Sequence, residues 1–143
     1  MSDKQFNTHL AAEFFVMSAL HRLGVNALLT LGNKKAVDIV VEKGADTLTV
    51  EVKGLATRGS FPIGNYTAKA QDKNHYYVFV SFLGKIGTPA CLPDVYIVPA
   101  KDLDGKGLVL HNKVNNVLYS ELEKHSNRYK NNWAVFAKKE ASK

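Results

Sequence analysis

One cysteine, one tryptophan, two methionines and four prolines are all that this 143-residue chain holds of those types. The lone Cys91 excludes an internal disulfide framework and a cysteine-based zinc site. A single thiol also suits a reducing compartment such as the cytoplasm. No apolar run approaches the ~20 residues of a membrane span. The first residues, Met1-Ser2-Asp3-Lys4-Gln5, lack the basic-then-apolar order of a secretory signal. No repeat, low-complexity tract or linker divides the chain. The expectation is one domain over residues 1–143, with a core at about 5–99, an extension at about 100–138 and a frayed basic tail at 139–143.

What is present is ordinary in amount: 45% apolar and 22% charged residues, the balance of a soluble globular protein. The charge is less ordinary. A formal net charge of +6 favours a polyanionic partner, nucleic acid before any membrane, although Lys138, Lys139 and Lys143 in the tail supply part of it.

Residues 5–23 pattern as a helix, with Ser2 or Asp3 as candidate caps and Gly24 as its stop. Three strands follow, at 26–31, 36–42 and 47–53, the last two joined across Lys43-Gly44-Ala45-Asp46. A loop at 54–66 and a short helix over Thr67–Lys73 lead to strands at 76–82 and 95–98. Beyond residue 100 the pattern predicts a turn at Asp104-Gly105, an extended piece near 108–110 and a terminal helix around 127–138. The order is that of an α+β or mixed α/β sandwich.

Four polar residues interrupt otherwise apolar segments: Glu13, Asp38, Glu51 and Lys53. Burying an unpaired charge costs several kcal/mol, so folding alone does not account for them. Strand alternation puts Glu51 and Lys53 on one face, roughly 6.5–7 Å apart, with Leu48, Val50 and Val52 on the other. If the hairpin turns at Gly44-Ala45, Glu42 pairs with Thr47, Val40 with Thr49 and Asp38 with Glu51. Opposed carboxylates, with Cβ atoms about 4.5–5.5 Å apart, repel unless a cation lies between them, and they make a hard-oxygen site for Mg²⁺ or Mn²⁺. On the helix, Glu13 shares an apolar face with Phe6, Leu10, Met17 and Leu20. The polar side of the hairpin, which also carries Ala36 and Val40, is the surface that helix is expected to cover.

The arrangement of Glu13 on a first helix, then Asp38, then Glu51-Val52-Lys53 with Gly54 closing the strand, resembles the PD-(D/E)XK nuclease superfamily over about residues 9–99. The later residues, with Tyr129 four positions before Trp133, resemble a small prokaryotic branch of it. The chain departs from the name-giving proline, since Val37 precedes Asp38. The resemblance implies a restriction endonuclease-like αβββαβ core, a central mixed sheet flanked by helices, here with a C-terminal helix added. It implies a metal-dependent endonuclease, a hydrolase of phosphodiester bonds, with DNA as the favoured substrate. Asp38, Glu51 and the Val52 carbonyl would bind Mg²⁺ or Mn²⁺, and Glu13 would hold a water or a second ion. Lys53 would orient or deprotonate the attacking water and offset phosphorane charge. The basic or glutamine position of the second helix could fall to Gln71, Lys69 or Lys73.

The alternative is a module that keeps this fold without turnover, binding nucleic acid or protein in the manner of an immunity or toxin component. Either role could involve a homodimer or a partner protein. Lys34, Lys35, Arg58 and Lys69 flank the proposed site and are candidates for backbone phosphate contacts, with solvated charge as the plain alternative. His9 lies on the Glu13 side of the helix and could approach the site, with an exposed or half-buried histidine as the simpler expectation. His75, His111 and His125 share no ligand spacing. Tyr76, Tyr77, Phe79 and Phe82 read as core packing rather than base stacking.

Overall fold

A computed structural model describes residues 6–30 and 38–137. The first helix, α1, spans Thr8–Arg22. It begins later than the composition suggests because Asn7 is its cap, the Asn7 side chain accepting from the Leu10 N–H at 3.1 Å. The proposed caps Ser2 and Asp3 lie outside the described residues. Gly24, at φ +76°, ends the helix as expected.

Strands β1 (Asn26–Leu29), β2 (Ile39–Lys43) and β3 (Asp46–Leu55) form the antiparallel meander. The β2–β3 turn is the two-residue Gly44-Ala45. A positive φ at Gly44 (+61°) and not at Ala45 is the pattern of a II′ turn, whose twist matches the strands. Within the expected loop, Ser60–Pro62 forms a short strand, β4. The anticipated helix at 67–73 shrinks to a 3₁₀ turn at Lys69–Gln71, because Asp72 is extended and its side chain caps the Asn74 N–H at 2.8 Å. Strands β5 (His75–Ser81) and β6 (Asp94–Pro99) complete a five-stranded mixed sheet of order β1-β2-β3-β5-β6, in which only β3–β5 is parallel.

The C-terminal part differs most. A short helix, α2 (Asp102–Gly105), occupies the expected turn. Strands β7 (Val109–Leu110) and β8 (Asn116–Leu118) join β4 in a small second sheet of order β4-β8-β7. In place of a helix over 127–138 come α3 (Tyr119–Lys124), α4 (Ser126–Tyr129) and a 3₁₀ turn at Trp133–Val135. The break has a cause: Lys130 is drawn into an antiparallel bridge with Tyr96, and Asn131 takes φ +55°. Phe136 is nonetheless fully buried.

Two apolar layers sandwich the main sheet. On one face Ala12, Val16 and Leu20 of α1 pack on Ile39, Val41, Leu48, Val50, Val52, Val78 and Val80. On the other, Phe61, Tyr66, Val117, Leu122 and Tyr129 cover Tyr77, Phe79, Tyr96 and Val98. Helix α1 therefore covers the apolar side of the hairpin, not the Glu51 and Lys53 side expected above. Its buried stripe is Ala12, Glu13, Val16 and Leu20, while Phe6 and Leu10 are exposed. The physical reason is plain: a valine-rich face gives α1 more apolar area to bury than a face carrying charges.

Candidate active site

The candidate site is built around the middle of β3. Pairing holds Glu42 opposite Thr47, Val40 opposite Thr49 and Ile39 opposite Val50, as the hairpin register requires. One residue further the ladder changes. The Asp38 N–H also donates to the Val50 carbonyl at 2.9 Å, so residues 38 and 39 converge on one partner, as at a β-bulge. Asp38 is consequently not a rung opposite Glu51. Its side chain turns into the plane of the sheet, where Oδ2 accepts the Val52 N–H at 2.7 Å. A carboxylate thus takes the place of a backbone acceptor at the edge where β2 ends. A strand residue's N–H and C=O point to the same edge, so the Val52 carbonyl is directed toward Asp38 as well.

Gly54 brings α1 to this edge. A Cβ at position 54 would lie 2.8 Å from the Ala12 Cβ and 3.1 Å from the Thr8 carbonyl oxygen, so only glycine admits the first turn of α1 this close. The first two turns carry His9 and Glu13, one helical turn apart and on one side of the helix. His9 Nε2 stands 3.0 Å from Glu13 Oε2 and 3.9 Å from Asp38 Oδ1. Glu13 and Asp38 are buried, while the His9 side chain is half exposed. Among the described residues, these three form the group whose ligand atoms, all within 4.8 Å of one another, could hold a metal ion.

Glu51 and Lys53 occupy the opposite face from α1, opposite Tyr77 and Phe79 of β5. Lys53 Nζ lies 2.9 Å from Glu51 Oε2, and Lys69 Nζ hydrogen-bonds Glu51 Oε1. Behind them His75 is buried; its Nδ1 sits 2.7 Å from the Thr49 hydroxyl and its Nε2 3.8 Å from Glu51 Oε1. Nδ1 shares a hydrogen bond with the Thr49 hydroxyl, while Nε2 faces Glu51 at a distance longer than a hydrogen bond. Burial by itself pushes the Glu51 carboxyl up. His75, Lys69 and Lys53 outweigh it and bring the group from 4.5 down to about 2. The same carboxylate works on Tyr77, whose hydroxyl is pushed up by burial and then by Glu51.

The sequence-derived candidates are thus distributed unevenly. Glu13 and Asp38 meet at the sheet edge, Glu51 and Lys53 on the adjoining face, and the Val52 backbone joins the two. Of the three candidates for the basic or glutamine position, Lys69, also expected among the phosphate contacts, touches Glu51, whereas Gln71 and Lys73 are exposed. Arg58 lies apart, its guanidinium 6.0 Å from the Tyr119 ring centroid, and Glu42 is exposed beside Asn26. Lys34 and Lys35 lie outside the described residues. His9 was legible on the Glu13 side of the helix, and it does stand against Glu13 and Asp38. One participant escaped sequence reasoning. His75 had no local signal, since it meets Glu51 through the parallel pairing of Thr49 with His75.

No protein-family model and no curated relative matches this sequence. Solved structures do match. Archaeoglobus fulgidus Hjc, a Holliday junction resolvase from an archaeal hyperthermophile, superposes with a TM-score of 0.59 at 14% identity, over 93% of this chain and 98% of that one. A bacterial homing endonuclease superposes with a TM-score of 0.51 at 13% identity, over 89% and 87%. At such identities the likeness is one of fold, and the fold is the restriction endonuclease-like fold of the PD-(D/E)XK nucleases.

Proposed function

We propose that this chain, acting as one domain, is a divalent-metal-dependent nuclease that hydrolyses phosphodiester bonds in DNA. The observation that carries this reading is the Asp38 carboxylate anchored on the Val52 N–H within Glu51-Val52-Lys53, on a fold shared with a resolvase and a homing endonuclease. The donor set suits the ion: two buried carboxylates, a directed backbone carbonyl and a third carboxylate on Glu13 are hard oxygen ligands for Mg²⁺ or Mn²⁺. Asp38, Glu51 and the Val52 carbonyl would hold it, with Glu13 beside them. When bound, the ion supplies Lewis-acid polarisation of the phosphate and a more acidic water.

The chain's own groups supply the rest. Lys53 is a quarter exposed, so its ammonium can orient the attacking water and neutralise charge on a phosphoryl oxygen. Lys69 delivers a second ammonium to the same carboxylate. It keeps Glu51 ionised, and would be free to meet substrate if Glu51 served as a ligand of the ion. His75, held by Thr49, positions Glu51 from behind. The net charge of +6 draws the polyanion, and the exposed Cys91 thiol is compatible with a reducing cytoplasm. No helix among the described residues is long and apolar enough to cross a membrane.

A second reading rests on the Glu51 network itself. Two lysines already satisfy this carboxylate, with an imidazole 3.8 Å away, as they would in a binding module that never turns over. The two readings separate on supercoiled plasmid. The nuclease reading predicts nicking that requires Mg²⁺ or Mn²⁺ and disappears in Lys53→Ala and in Asp38→Ala. Cleavage undiminished in either variant would refute the assigned roles. Salt-sensitive DNA binding with no cleavage and no metal uptake would establish the module instead.

A further inference from the structure

We infer that His9 is itself a metal ligand and that it makes the ion position at the sheet edge selective for Mn²⁺ over Mg²⁺. The inference rests on the nuclease reading but concerns a residue and a selectivity that the fold does not imply.

The geometry comes first. At metal–ligand bonds of about 2.1 Å, adjacent ligands of an octahedral ion stand about 3 Å apart and opposite ligands about 4.2 Å. His9 Nε2 and Glu13 Oε2 are 3.0 Å apart, His9 Nε2 and Asp38 Oδ1 are 3.9 Å apart, and all three groups fall within 4.8 Å. The two His9 separations fall between the adjacent and the opposite spacings of one shared ion. The positions are also held in advance. Asp38 Oδ2 is occupied by the Val52 N–H, which aims Oδ1 at His9. The Gly54 contact fixes the helix turn that presents His9 and Glu13.

Chemistry then decides the ion. Two buried carboxylates brought together repel, and a cation between them relieves that repulsion. Oxygen ligands alone leave Mg²⁺ and Mn²⁺ poorly distinguished; imidazole is a poor ligand for Mg²⁺ and a better one for Mn²⁺, although Mn²⁺ is the weakest binder of the first-row transition series. The half-exposed ring leaves the remaining coordination positions open to water and phosphate oxygens. An i,i+4 His–Glu ion pair on the surface would need neither a third group nor a buried carboxylate; this arrangement has both.

The test is calorimetry with Mn²⁺ and with Mg²⁺, together with pulsed electron paramagnetic resonance of bound Mn²⁺, on the wild-type chain, His9→Gln and His9→Asp. Position 9 is exposed on the first helical turn, so both variants spare the core. The wild type should bind Mn²⁺ at least ten-fold more tightly than Mg²⁺ and show an imidazole ¹⁴N coupling. His9→Gln should lose the coupling and roughly ten-fold or more of the Mn²⁺ affinity while Mg²⁺ binding changes little. His9→Asp should keep an ion but lose both the coupling and the preference. Mn²⁺ bound without nitrogen coupling, and unweakened in His9→Gln, overturns the inference while leaving the nuclease reading intact. A wild-type chain that takes up neither ion at millimolar concentration overturns both.

Discussion

Replacing Gly54 by alanine tests how the first helix is coupled to the candidate site. The new Cβ would sit 2.8 Å from the Ala12 Cβ, about 0.6 Å inside ordinary contact, and 3.1 Å from the Thr8 carbonyl oxygen. Neither neighbour is the free end of a flexible side chain. One is a helix-interior methyl that is itself fully buried, the other is backbone. The first two turns of α1 must therefore withdraw by several tenths of an ångström and carry His9 and Glu13 away from Asp38. Overpacking of this kind costs about 1–3 kcal/mol, readable as a lower urea midpoint at unchanged slope. The functional loss should be larger than the stability loss suggests, since a misplacement approaching 1 Å can cost on the order of 10²-fold in rate. The assay pairs urea denaturation with Mn²⁺ titration and plasmid nicking. Ala12→Gly in the Gly54→Ala background removes the closer clash. It should restore much of the metal affinity while leaving stability low, because a mid-helix glycine costs about 1 kcal/mol relative to alanine. A Gly54→Ala protein with wild-type midpoint and wild-type metal affinity would refute the coupling.

Two further predictions concern the other half of the site. Glu51 is ionised in the fold down to about pH 2 but titrates near 4.5 when unfolded, so its stabilisation is complete above 4.5 and fades as the pH falls from there toward 2. At neutral pH that amounts to at most about 3 kcal/mol. Glu51→Gln should therefore be less stable at pH 7, and its stability should fall less steeply over that acid range; an unchanged slope would contradict the assigned ion pairs. Thr49→Val removes the hydroxyl that holds His75 Nδ1, at a cost of about 1–3 kcal/mol for the orphaned ring nitrogen. The Glu51 carboxyl should then titrate higher by carboxyl NMR, and an unmoved titration would show that His75 does not position it.

Much of the fold was legible because its signals are local. Period-two alternation located β2 and β3, and the Gly44-Ala45 turn set their register, which holds from Glu42 to Ile39. Stop signals at Gly24 and the aromatic run of β5 did the same for their elements. Legibility ended where tertiary contacts decide. Helix α1 has apolar residues on several sides, Leu10 and Phe14 as well as Val16 and Leu20, so its buried face depended on which surface it met. The bulge at Asp38 and the break at Lys130-Asn131 arise from pairing with Val50 and Tyr96, residues distant in sequence. In the candidate site, the unusual placement of Glu13, Asp38, Glu51 and Lys53 could be read from residue types alone. Their division between a sheet edge and a sheet face could not, nor could the arrival of His75 and Lys69 at Glu51.

The most direct measurement is anomalous diffraction from crystals of this protein soaked in Mn²⁺. The account predicts a manganese peak bonded to the Asp38 and Glu51 carboxylates, with the Glu51 side chain turned away from Lys69 and Glu13 beside the ion. A structure with no manganese at millimolar concentration, or with manganese elsewhere and Glu51 still held between Lys53 and Lys69, would contradict it.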